Sequence, residues 1–141
     1  MIRPAVCADA PGIYTLICAL EETRFPQEIF AWGLDTMLGS PSHILLVAEE
    51  QGNIVGLLHM RMEFQLHHCG KVAEILELIV SQEVRSKGIG AALLKAARAQ
   101  AVQQHCIQFE VTSNRKREKA HCFYLREVLE QTHVKLTEAL L

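Results

Sequence analysis

The sequence predicts an α/β (α+β) fold, a mixed β-sheet with helices on both faces, as a single domain over residues 1–141. Three observations predict it. Segments with apolar residues at helical spacing alternate with short apolar, strand-like runs, in the order β-α-α-β-β-β-α-β-α-β. Clusters of Gly, Pro, Ser and Asn punctuate them. The chain has 141 residues, half of them hydrophobic, enough for one substantial core and too few for two.

Each element has its own signal. Ile2 to Val6 reads as a short opening strand. Asp9 is placed to cap a helix, with Pro11 tolerated in the first turn, and Ile13, Leu16, Ile17 and Leu20 form its buried stripe. After a loop over Glu21 to Phe25, a second helix is expected from Pro26 to Leu38, with Ile29, Phe30, Leu34, Met37 and Leu38 inward, stopped by Gly39, Ser40 and Pro41. His43 to Glu49 and Ile54 to Met62 form a hairpin about Gln51-Gly52-Asn53. Lys71 to Val80 is another strand, and a glycine-containing loop over Arg85 to Gly90 opens a long helix that reaches Gln103. Ile89, Leu93, Leu94, Ala97, Ala101 and Val102 mark its inner face. A strand over Ile107 to Thr112, a helix over Glu118 to Glu127 and a last strand over Thr132 to Thr137 complete the series.

Composition excludes several classes. Acidic residues number 16 against 14 Lys plus Arg, a poor balance for a general nucleic-acid binder. No run nears the roughly 18 apolar residues of a membrane span, and Pro4, Asp9 and Pro11 interrupt any leader-like apolar stretch. Cys7, Cys18, Cys69, Cys106 and Cys122 are odd in number and form no C-x-x-C pair, so reduced thiols in the cytoplasm are expected.

The most informative stretch is the strand Leu76-Glu77-Leu78-Ile79-Val80 followed by Arg85-Ser86-Lys87-Gly88-Ile89-Gly90-Ala91, an R-x-x-G-x-G turn at a helix start. The first N–H groups of a helix lack intrahelical partners, and its dipole is positive there. Gly88 and Gly90 have no Cβ to hold a phosphate off the backbone, and Arg85 and Lys87 add charge. These features make a pyrophosphate cradle, although the bare motif also occurs in ordinary strand–turn–helix connections. A P-loop would need Lys-Ser or Lys-Thr after its last glycine. A dinucleotide fingerprint would sit in the first βαβ unit.

The turn and its preceding strand resemble the acetyl-CoA motif of the GNAT N-acetyltransferases. Asn114, Ala120, Phe123 and Tyr124 match that superfamily's N-x(5)-A-x-x-FY pattern. The resemblance implies the GNAT fold with a six- to seven-stranded sheet and acetyl-CoA as cosubstrate. It also implies a splayed central strand pair, pantetheine bonded along Leu78, Ile79 and Val80, and pyrophosphate held over Lys87, Gly88, Ile89, Gly90 and Ala91. Asn114 and Arg85 complete that cofactor set. A closer likeness is to the GNAT enzymes that acetylate aminoalkylphosphonates. It is carried by Leu58-His59, Phe64 to His68, Glu74 to Leu78, the run Asn114 to Arg117 through Ala120 to Glu127, and the tail Glu130 to His133 with Thr137. It implies a small, anionic amine substrate and divalent-metal assistance, and leaves a homodimer open. Val128-Leu129 departs from the family's usual glycine and aromatic.

A primary amine with a pKa near ~10 is about one part in a thousand neutral at pH 7, and only the neutral form attacks a thioester. Glu77 is the expected base. Glu74, three residues earlier, is expected on the opposite face by strand alternation. Tyr124 stands where the family's acid would protonate the leaving thiolate, and a backbone N–H near Leu78 or Ile79 is expected to hold the oxyanion. The plain alternatives are a strand-edge glutamate and a half-buried core aromatic. His67-His68 would point oppositely in an extended strand and not easily chelate one ion, and solvated or loop histidines are the better reading. Arg115, Lys116 and Arg117, with His59 and His121, are candidates for a substrate anion, and the basic run also suits a solvated helix start or the CoA 3′-phosphate. Competing functions are acetylation of an aminoglycoside, polyamine or protein amine, whose cations want an acidic cleft, and a non-catalytic acyl-CoA-binding regulator.

Overall fold

A computed structural model of the chain describes residues 1–84, 87–127 and 129–141. Its elements are β1 (Ile2–Pro4), α1 (Ala10–Glu21), α2 (Gln27–Leu38), β2 (His43–Glu50), β3 (Asn53–Gln65), β4 (Gly70–Val80), α3 (Ile89–Gln103), β5 (Gln108–Val111) and α4 (Glu118–Arg126). The strands lie in the order β1-β2-β3-β4-β5, antiparallel except for the parallel pair β4–β5.

The sheet therefore has five strands among the described residues, not six or seven. Over 132–137, where a last strand is expected, none forms. Only Val134 and Leu136 alternate there, and they are 84% and 90% exposed. Two apolar side chains bury too little area to offset the cost of ordering the segment.

Helices cover both faces, as alternation along the strands requires. On one face, Leu93, Leu94, Ala97 and Ala101 of α3 pack on Leu46, Leu58, Met60, Ala73 and Ile75, with Phe123 of α4 beside them. On the other, Ile13 and Leu16 of α1 and Leu34 of α2 pack on Leu45, Val47, Leu57 and Ile79. Ile29 and Val102, expected inside, are exposed at the margins of their helical stripes.

One local expectation is corrected. Asp9 stands at the start of α1 but makes no side-chain cap. Arg3 takes its carboxylate at 2.8 and 2.9 Å, and the Val6 N–H donates to it at 2.8 Å. His67 and His68 lie in a 3₁₀ turn, in keeping with their reading as loop histidines, with ring centroids 4.3 Å apart.

Candidate active site

β4 is where the sheet opens. β5 pairs with it only from Val72↔Gln108 to Ile75↔Val111. Beyond Ile75, β4 runs on to Val80 alongside β3 alone within the sheet. The Ser81 N–H donates to the Val55 carbonyl at 2.8 Å. Antiparallel alternation then turns the backbone groups of Ile79 toward β3, and those of Leu78 toward the side β5 has left. Of the two residues expected to offer an oxyanion N–H, Leu78 is thus the one facing the gap.

A one-residue irregularity decides where the carboxylates go. His59 pairs with Glu77 and Met60 with Ile75, so Leu76 is an extra residue in β4, a β-bulge. The bulge breaks the alternation that would separate Glu74 from Glu77. Glu77 bonds His59 and Glu74 bonds Arg61. His59 and Arg61, two apart on β3, share a face. Glu74 and Glu77 therefore lie on the same face, which corrects the expectation from simple spacing.

That face is the one under α1 and α2, at the level where all three central strands turn from apolar to polar. Val47 and Leu45 give way to His43, Leu57 to His59, Arg61 and Glu63, and Ile79 to Glu77 and Glu74. His59, 3% exposed, joins two bonds: Nδ1 to Glu77 Oε2 at 2.6 Å and Nε2 to His43 Nδ1 at 2.8 Å. Burial, then the neighbouring His59 and Arg61, hold the pKa of His43 below the usual imidazole range, with Glu77 acting the other way. Arg61 Nη2 reaches Glu74 at 2.9 Å and Glu63 at 3.5 Å, while its buried Nε–H has no acceptor among the described residues. Sequence inspection gave His43 and Arg61 no role. The signal was available in the polar side chains at every second position of β3 from His59 onward.

At the far end of β4, α3 begins with Gly88 at φ +78°, a left-handed conformation that glycine adopts without strain. The first turn of α3 has no side-chain cap and no acidic residue. The Ala92 N–H makes the bond back to Gly88, so helical geometry leaves the N–H groups of Ile89, Gly90 and Ala91 unpaired within the helix. Lys87 is exposed beside them. A Cβ on Gly88 would meet nothing within 4 Å, whereas one on Gly90 would lie 3.5 Å from Phe123. That is an ordinary van der Waals contact, so packing alone does not require glycine at either position. Arg85 lies outside the described residues.

α4 brings Tyr124, 8% exposed, and burial raises its phenol pKa while Arg117 pulls it down. Asn114 organises the preceding loop: its Oδ1 accepts the Lys116 N–H at 2.9 Å, and its carbonyl accepts the Arg117 N–H at 2.9 Å and pairs with His121 Nε2 at 2.8 Å. Arg115, Lys116 and Arg117 are exposed. The Thr112 hydroxyl donates to Glu74 at 3.4 Å, so this basic loop starts at the Glu74 corner of the polar face. Val128 lies outside the described residues, but Leu129 packs on the α3-side core and its N–H donates to the Tyr124 carbonyl at 3.1 Å. No three His, Cys, Asp or Glu side chains among the described residues are grouped to hold a metal ion.

The profile of the acetyltransferase (GNAT) family matches residues 10–128. The chain belongs to this family. GNAT acetyltransferases use acetyl-CoA, and this member is an acetyltransferase enzyme. The aminoalkylphosphonate N-acetyltransferase of Salmonella typhimurium is 36% identical over 139 residues, 99% of this chain and 90% of that one. Among solved structures, a transcriptional regulator from Bacillus halodurans superposes with a TM-score of 0.92 at 20% identity, over 99% of both chains. Glucosamine-6-phosphate N-acetyltransferase from Arabidopsis thaliana gives 0.85 at 19%, over 99% of this chain and 97% of that one. At those identities the two structures share the fold with this GNAT chain and nothing finer. No helix among its described residues is long and apolar enough to cross a membrane.

Proposed function

We propose that this GNAT enzyme acetylates the primary amine of a small aminoalkylphosphonate, with Glu77 as base and Tyr124 as acid. The observation that carries this reading is the half of β4 left unpaired by β5, which sets Glu77 beside the gap at the strand end leading into α3. Acetyl-CoA would lie with its pantetheine along Leu78 to Val80 and its pyrophosphate over Lys87 to Ala91. Glu77 takes a proton from the ammonium, and the freed amine attacks the thioester carbonyl. The Leu78 N–H faces the developing oxyanion. As the tetrahedral intermediate collapses, the C–S bond breaks, Tyr124 gives the thiolate its proton, and the proton the attacking nitrogen sheds on becoming an amide restores the Tyr124 hydroxyl by way of solvent. The amide and CoA leave, and one proton passes to solvent through Glu77, whose side chain is 36% exposed.

Charge supports a zwitterionic substrate. The polar face carries Glu63, Glu74 and Glu77 against Arg61, an environment for an ammonium group. The Arg115 to Arg117 loop, beginning at Glu74, supplies cations for a phosphonate a few bonds away. No step is routed through a metal ion. Five unpaired cysteines fit a reducing compartment, and the proposed compartment is the cytoplasm.

An acetyl-CoA assay with aminomethylphosphonate, ethylamine, spermidine and an aminoglycoside, each with and without a divalent ion, tests the substrate. Aminomethylphosphonate should exceed ethylamine in kcat/KM by at least about 10²-fold, in line with the ~3–5 kcal/mol lost when one member of a desolvated charge pair is removed. Preference for the polycations would assign the acidic face to them and end the phosphonate reading. Glu77→Gln should lower kcat/KM by roughly 10²–10⁴ near neutral pH and recover in part at high pH, where the amine deprotonates unaided.

A further inference from the structure

We infer that His59 is the positioning residue for Glu77, and that His43 fixes the tautomer in which it works. This rests on Glu77 being the base and adds what holds that base in place. A buried imidazole needs partners for both ring nitrogens, and His59 has them on opposite sides. An ionised carboxylate only accepts, so the proton on the 2.6 Å bond belongs to His59 Nδ1. A neutral ring then has a bare Nε2, and the proton on the 2.8 Å bond belongs to His43 Nδ1. The chain of donors runs in one direction: His43 to His59 to Glu77.

Three consequences follow for Glu77. Its Oε2 is engaged from beneath by β3, leaving Oε1 for the substrate ammonium. It is kept from Arg61, two residues along β3, which is engaged with Glu74 and Glu63. A base paired to a guanidinium would be a weaker one. The anchor has a partner of its own. His43 faces His59 and Arg61 from β3 and Glu77 from β4, and the balance of burial and these charges disfavours its cation. If His43 does take a second proton at Nε2, its Nδ1–H still donates, so the direction of the chain survives.

The test pairs two substitutions that separate the nitrogens. The amide nitrogen of Asn sits where imidazole Nδ1 does, and that of Gln near Nε2. His59→Gln should lower kcat by on the order of 10²-fold, the penalty for a misplaced catalytic group, with KM for the best amine of the panel within about threefold. His59→Asn, which restores a donor to Glu77, should recover most of that loss. Independently of any substrate, ¹⁵N–¹H spectra of the imidazole rings at pH 8 should show His59 as the Nδ1–H tautomer, and Glu77→Gln should change its ring signals. A cationic or Nε2–H His59 overturns the inference, even if both variants fold poorly. So does wild-type kcat in a folded His59→Gln enzyme. An active Glu77→Gln enzyme with His59 still in the Nδ1–H form would instead remove Glu77 as base and leave the bond geometry standing.

Discussion

Tyr124 is the residue whose chemistry depends most on its surroundings. Burial keeps its phenol protonated beyond the ordinary value near ~10, with Arg117 opposing. In its proposed role as proton donor it must hold its proton until sulfur demands it, and the raised pKa suits that role. Tyr124→Phe should reduce kcat by about 10²-fold or more while changing amine KM little, measured by initial rates at saturating acetyl-CoA. Asp9 offers a separate test, on stability. The Arg3 guanidinium holds the Asp9 carboxyl below its usual range, helped by the Val6 N–H and opposed by burial. A depressed folded pKa contributes stability above the unfolded value near ~4, and that stability is lost as pH falls through the folded one. Asp9→Asn should therefore melt below the wild type at pH 7, and the two melting curves should converge as pH falls below about 4.

Among the elements, β4 holds most of the proposed site and was only half legible in the sequence. Its extent, the glycine turn after it and the start of α3 at Ile89 follow from apolar runs and turn residues, which report local geometry. The bulge at Leu76 does not, because it is a mismatch with β3 and exists only once the strands are paired. His43, His59 and Glu77 come from three different strands, so no spacing along the chain announces their contact. The absent strand over 132–137 shows the reverse error: a strand-like run is not a strand without a neighbour to bond and a face to bury. Amide hydrogen exchange can probe β4 directly. The Leu78 amide, facing the gap, should exchange readily in the free enzyme and slow on adding acetyl-CoA, whereas the Ile79 amide should be protected in both. Equal protection of Leu78 in the two states would remove pantetheine from this strand. Gly88→Ala should cost about 1–2 kcal/mol of stability from its left-handed backbone alone. Acetyl-CoA affinity should therefore be compared with a thermal melt of the same variant.

Across the whole molecule, the two faces of the sheet do different work. The α3 face is apolar from Met62 to Leu46 and carries the helix start proposed for phosphate. The α1–α2 face is apolar for half its length and then becomes the polar floor of the site. That division explains why the fold class could be read from hydrophobic patterning while the floor could not: polar residues at strand ends look like solvent-facing ends until a structure shows them converging. It also gives the extra residue of β4 a meaning beyond its own kink. Leu76 works like a frameshift between two halves of one strand. Upstream, odd-numbered residues Ala73 and Ile75 point into the α3 core, and downstream the even-numbered Leu78 and Val80 do so. Were Leu76 forced into regular alternation instead of bulging, the halves would fall out of step, and the strand could then satisfy the core or present both carboxylates to the floor, but not both. The bulge keeps these two parities joined in one strand, and the proposed active site lies at the seam.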